Sequence, residues 1–99
     1  MDVSHDDEDL ERIENDSGFN GCYSNALVRA FIRVMTLLRN VQHEGELQNW
    51  RGLRFKRLQG NRKHQWSARL NQQWRLIIEI EPGEDGNCLI IKGIDDYHR

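Results

Sequence analysis

Apolar residues recur along this chain first with a helical period and then with a strand period. Between Ser24 and about Val41, Leu27, Val28, Phe31, Ile32, Met35 and Leu38 follow the i, i+3, i+4, i+7 rule, while Arg29, Arg33 and Arg39 keep to the other side. The spacing predicts a long amphipathic helix whose apolar stripe packs on a sheet. Ser24 or Asn25 would cap it, because a short polar side chain can accept from the unpaired N–H groups of a first turn. Asp6 to Asn15 reads as a shorter acidic helix with Leu10 and Ile13 as its apolar contacts, and acids in a first turn suit the helix dipole. Gly18 and Gly21 break the chain between the two. Asp2 to His5 is expected as a short edge strand and Glu44 to Trp50 as a short helical segment.

The second half changes period. Leu53 to Leu58, Gln65 to Leu70, Trp74 to Ile80 and Cys88 to Ile94 read as four strands, with Gly60-Asn61, Pro82-Gly83 and Asp85-Gly86-Asn87 as punctuation. Trp66, Ala68 and Leu70 alternate with Gln65, Ser67 and Arg69, and Trp74, Leu76, Ile78 and Ile80 alternate with Arg75, Ile77 and Glu79. A loop of Asn71-Gln72-Gln73 would set Ala68 opposite Leu76 and Arg69 opposite Arg75. A two-residue loop would pair Leu70 with Arg75 and mix the faces, so the buried pattern selects the longer loop. Helices first and strands afterwards predict an α+β fold, with N-terminal helices packed on a largely antiparallel sheet.

At 99 residues the chain has the length of a single domain, 1–99. No apolar run approaches the roughly 20 residues needed to span a bilayer, and the acidic N-terminus lacks the apolar core of a secretory signal. The expected compartment is the cytoplasm, with no membrane partner. Cys22 and Cys88 form no C-x-x-C unit and read as free thiols. The net charge of −2 averages two unlike segments. Up to Ser17, Asp2, Asp6, Asp7, Glu8, Asp9, Glu11, Glu14 and Asp16 face Arg12 alone, so the remainder is basic.

That basic character concentrates between Arg51 and Arg75. The stretch holds Arg51, Arg54, Lys56, Arg57, Arg62, Lys63, Arg69 and Arg75, no acid, and the interleaved aromatics Phe55, Trp66 and Trp74. Cations neutralise phosphates and aromatic faces stack on bases, so this composition suits a nucleic-acid surface; an ordinary solvated face is the alternative. Two arginines side by side repel, and a phosphate is the simplest anion to offset that, unless both side chains splay into water.

The tail, Asp95-Asp96-Tyr97-His98-Arg99, groups proton-transfer side chains after an apolar strand, although terminal residues are commonly just solvated. A ribonuclease working without metal needs a base for the 2′-hydroxyl, an acid for the leaving 5′-oxygen and cations for the phosphorane. The basic stretch and the tail together contain such groups. His5, His43, His64 and His98 lack metal-ligand spacing, so neither metal nor cofactor is expected.

The run LRFKRLQGNRKHQWSARLNQQWRLIIEI, closing with IDDYH, resembles the HigB toxins of the RelE/ParE superfamily. The resemblance extends upstream through NDSGFNGCYSNALVRAFIRVM and covers nearly the whole chain. Its most specific part is the core G-[ND]-R-x-x-Q-[WH]-S-x-R-[LV]-N-x-x-W-R with a terminal D-Y-H. The resemblance implies a RelE-like fold, metal-independent cleavage of mRNA on the translating ribosome, and a HigA-like helix-turn-helix antitoxin through which alone operator DNA would be contacted. It matches Arg75 to the arginine holding the scissile phosphate, and Asp96, Tyr97 and His98 to the terminal catalytic group. It places Arg62, Lys63 and Arg69 against RNA or ribosomal RNA backbone, and Arg54 and Arg57 of the same basic stretch are read as further RNA- or ribosome-binding cations. Lys56 stands where some members carry histidine, and is assigned to charge stabilisation. Gln59 stands where some carry lysine, and Arg99 extends beyond the usual terminal histidine. A gyrase poison like the ParE branch and a non-catalytic nucleic-acid-binding module are the competing readings.

Overall fold

A computed structural model describes residues 1–84 and 86–96. Its elements run β1 (Asp2–His5), α1 (Glu8–Asn15), α2 (Asn25–Asn40), two short 3₁₀ turns (Glu44–Asn49 and Arg51–Leu53), β2 (Lys56–Arg57), a third 3₁₀ turn (Gly60–Arg62), β3 (Gln65–Arg69), β4 (Trp74–Gly83) and β5 (Gly86–Asp96). The strands form one sheet in the order β1-β5-β4-β3-β2. β1 runs parallel to β5, and every other pairing is antiparallel.

Both helices start at a side-chain cap. Asp7 accepts from the Leu10 N–H at 3.0 Å and Ser24 from the Leu27 N–H at 3.1 Å, each satisfying a donor that the first turn leaves open. The first helix therefore begins two residues later than the acidic run suggests. Asp6 stays extended instead: its N–H bonds to the Ile91 carbonyl at 2.8 Å and its carboxylate holds Lys92 at 2.5 Å. The helices bury Leu10, Ile13, Leu27, Ala30, Phe31, Met35 and Leu38 in one core with Ala68, Leu76, Ile78, Leu89 and Ile91 of the sheet. Each large apolar side chain among them contributes roughly 1.5–3 kcal/mol through its removal from water.

A half-buried polar knot ties the N-terminal elements together. Glu14 on α1 accepts from Arg39 Nε and Nη2 at 2.6 and 2.7 Å and bonds His5 Nε2 of β1 at 2.8 Å. The Arg39 guanidinium, ahead of the opposing effect of burial, holds the Glu14 carboxyl below its ordinary range.

Two expectations need correction. The strand expected over Leu53 to Leu58 shrinks to Lys56–Arg57. Arg51–Leu53 coils into a 3₁₀ turn that ends on Arg54 in the left-handed region (φ 46°, ψ 48°), and this reversal turns Phe55 inward. Phe55 stacks on Trp66 with ring centroids 4.9 Å apart and planes 8° from parallel. Pro82-Gly83, expected in a connection, instead ends β4, paired as Pro82↔Asn87 and Gly83↔Gly86. β3 begins opposite Glu79, so this end of β4 has a strand on one side only, where a residue without an N–H is tolerated.

Candidate active site on the open face of the sheet

The helices cover one face of the sheet, and the other carries most of the candidate residues. The β3–β4 register is Arg69↔Arg75, Ala68↔Leu76, Ser67↔Ile77, Trp66↔Ile78 and Gln65↔Glu79, the register set by the three-residue loop. Leu70 closes that loop, its N–H donating to the Trp74 carbonyl at 2.9 Å. Side chains alternate along each strand, so Arg69, Ser67 and Gln65 share the open face with Arg75, Ile77 and Glu79.

β5 joins this face with a change of step. Ile77 pairs with Gly93 but Ile78 pairs with Ile91, so Lys92 is an extra residue at a bulge. A bulge shifts the alternation of everything beyond it. Ile94 therefore sits opposite core residue Leu76, and Asp95 sits opposite Arg75 on the open face. One row across the sheet reads Arg69, Arg75, Asp95, and the next reads Lys56, Ser67, Ile77, Gly93.

Arg62 spans these rows from the turn before β3. Its Nε donates to Gln65 Oε1 at 2.9 Å, and its Nη2 lies 2.8 Å from Asp95 Oδ2. Ser67 and Ile77 are 0% and 2% exposed although they point away from the helices; Arg62 lies across this part of the face. A hollow of about 470 Å³ opens on one side of the Arg62–Asp95 pair, lined by Arg62, Trp74, Arg75, Ile94, Asp95 and Asp96. A smaller one of about 220 Å³ lies on the other, with Gln65, Ile77, Lys92 and Gly93 added to the same pair.

Of the residues singled out in the sequence, Lys56, Arg62, Arg69 and Arg75 come together on this face. Asp96 lines the larger hollow, but it pairs in register with Trp74 and its carboxylate accepts from Gln73 Nε2 at 3.2 Å. Arg57 lies opposite Trp66, hence turned away from Lys56, and its guanidinium donates to the Lys63 carbonyl. Arg54 is exposed on the left-handed turn before β2, off the open face, and Lys63 is exposed beside Arg62. Tyr97 and His98 lie outside the described residues. Sequence reasoning counted Asp95 in the tail but gave it no role of its own, and missed the bridge it makes to Arg62.

Among the described residues no cluster of three or more histidine, cysteine or acidic side chains could hold a metal ion. No described helix is long and apolar enough to cross a membrane.

Comparison with known proteins agrees with this architecture. Residues 3–98 match the family described as the RelE-like toxin of the type II toxin–antitoxin system HigB. The chain is 32% identical over 83 residues to Toxin HigB-1 of Vibrio cholerae serotype O1, covering 84% of this chain and 87% of that protein. Among solved structures, the YoeB/ParE toxin from Agrobacterium tumefaciens superposes with a TM-score of 0.63 at 14% identity, covering 98% of this chain and 99% of that one. YafQ from E. coli superposes with a TM-score of 0.60 at 13% identity, covering 99% and 94%. These two likenesses speak for the fold alone. The family match over almost the full length and the relative at 32% identity are what establish kinship, and they bring with them an antitoxin partner: the chain belongs to the HigB family of RelE-like toxins of type II toxin–antitoxin systems.

Proposed function

We propose that this toxin is a ribosome-dependent, metal-independent mRNA endonuclease of the cytoplasm. The observation that carries the reading is the cationic row on the open face, with Arg75 flanked by Arg69, Lys56 one row away and Arg62 overhead, beside a hollow of about 470 Å³. In the reaction the ribose 2′-hydroxyl attacks the adjacent phosphorus and the 5′-oxygen leaves. Charge builds on the phosphorane oxygens, and fixed cations favour that state over the ground state. Arg75 holds the scissile phosphate and Lys56 adds charge from the next row. Asp96, Tyr97 and His98 supply proton transfer, with Tyr97 stacking on a base. Arg54, Arg57, Arg62, Lys63 and Arg69 grip RNA or ribosome, and a HigA-like helix-turn-helix antitoxin is the partner that restrains the toxin.

Expression without the neighbouring antitoxin gene, followed by mapping of mRNA 5′ ends, tests this. New 5′ ends within translated regions are expected, and they should disappear when initiation is blocked. Growth arrest with intact transcripts and DNA-damage signalling would overturn it in favour of gyrase poisoning. Tolerated expression would leave only a binding module.

A further inference from the structure

An acid stands in the middle of a surface otherwise arranged to attract phosphate. Asp95 is directly opposite Arg75, and its Oδ2 holds Arg62 Nη2 at 2.8 Å. Among the described residues the two hollows on this face share only Arg62 and Asp95, so their bridge is the divide between them. The pair contributes little to the fold: the side chains are 42% and 40% exposed, and ion pairs this wet are weak. Its effect falls instead on an incoming anion. A phosphodiester arriving beside Arg75 meets a carboxylate of its own sign and finds Arg62 already engaged.

We propose that Asp95 is a specificity-determining residue: its carboxylate occupies Arg62 in place of an RNA phosphate and so suppresses binding of free RNA. Arginine exchanges one anion for another readily, because carboxylate and phosphate present similar oxygen pairs to its fork. Opening a weak surface bridge is easy once further contacts hold the RNA in register, and a large partner such as the ribosome supplies them. The inference rests on the endonuclease reading above, and gives that reading a physical reason for dependence on the ribosome.

The test uses a 2′-O-methyl RNA oligonucleotide, which cannot be cleaved because its attacking oxygen is blocked. Its affinity is measured by fluorescence anisotropy for the unaltered toxin, Asp95→Asn, Arg62→Gln and the double variant. Asp95→Asn should bind about tenfold tighter, and the same change in the Arg62→Gln background should gain about twofold or less. That dependence on Arg62 is what a merely structural role, or bulk charge alone, would not produce. Equal affinities for the unaltered protein and Asp95→Asn would overturn the proposal, and so would an equal gain in both backgrounds. Cleavage of ribosome-engaged mRNA by the unaltered toxin is assayed alongside. Its absence would sink the endonuclease reading while the oligonucleotide affinities still decide the role of Asp95.

Discussion

Arg69 stands directly opposite Arg75 across the β3–β4 hairpin, on the face of the sheet that the helices leave open. Like charges in that relationship repel. Around the pair, Arg69 Nε donates to the Asn71 carbonyl at 3.2 Å, and Asp95 flanks Arg75 on its other side. A phosphate between the arginines would relieve the repulsion. Arg75→Ala should therefore abolish growth inhibition on induction while the protein still folds and binds its antitoxin. Removing a fixed donor to developing charge costs about 10²–10³-fold in rate. A folded Arg75→Ala protein of full toxicity would show that the phosphate is held elsewhere.

The outer cations are expected to act at longer range. Replacing Arg62, Lys63 and Arg69 together by alanine should weaken ribosome association and flatten its salt dependence. The slope of log affinity against log salt falls by about 0.7 for each single-strand phosphate that the protein ceases to neutralise. Association measured across a salt series decides this, and an unchanged slope would place the docking surface away from the open face.

Stability should depend on pH through Glu14, which faces Arg39 and His5. Its carboxyl is held below the ordinary value of 4.5, first by the hydrogen bond from Arg39. The folded state thus binds that proton less readily than the unfolded state. The stabilisation is complete above the ordinary value and is lost as pH falls through the lowered one. Glu14→Gln should cost about 1–3 kcal/mol at neutral pH, and urea titrations should show the gap between variant and parent closing in acid. A gap that persists below the lowered value would mean that the charge of Glu14 is not what the substitution removes.

Much of this fold was legible because the period of the apolar residues changes where the structure does. The stripe from Leu27 to Leu38 faces the sheet, and the alternation on either side of Asn71 sets Arg69 against Arg75. What remained hidden depends on single residues that break alternation. Counting on by twos from Leu89 and Ile91 puts Gly93 and Asp95 in the core and Asp96 on the open face. The bulge at Lys92 reverses this, and no local composition announces it, since Lys92 is retained by a partner far away in sequence, Asp6. Likewise Arg54 adopts a left-handed backbone that arginine seldom takes, so the strand expected from Leu53 begins late. The bulge can be tested directly. Deleting Lys92 removes the extra residue while Ile91 stays opposite Ile78 and Asp95 stays opposite Arg75 on the open face, so beyond the exposed Lys92–Asp6 bond the stability should change little. A large loss of stability in urea unfolding would mean that the extra residue is itself needed for β5 to pack.

The last expectation concerns the tail. β5 ends at Asp96, which is paired with Trp74 and lines the hollow beside Arg75. His98 follows an acid and a tyrosine, and an imidazole has an unperturbed pKa of roughly 6.5, which suits proton transfer near neutrality. Either His98 or Asp96 can carry the proton, with the other orienting it. Loss of a general acid or base slows a step about 10²–10⁴-fold. Removing Tyr97 to Arg99 should therefore cut single-turnover mRNA cleavage by that order while antitoxin binding and ribosome association persist, because the basic row and the core remain intact. Removing Arg99 alone should change little. Normal cleavage by a chain ending at Asp96 would show that the proton-transfer groups lie within the sheet itself, and Asp96 and Lys56 would be the next residues to replace.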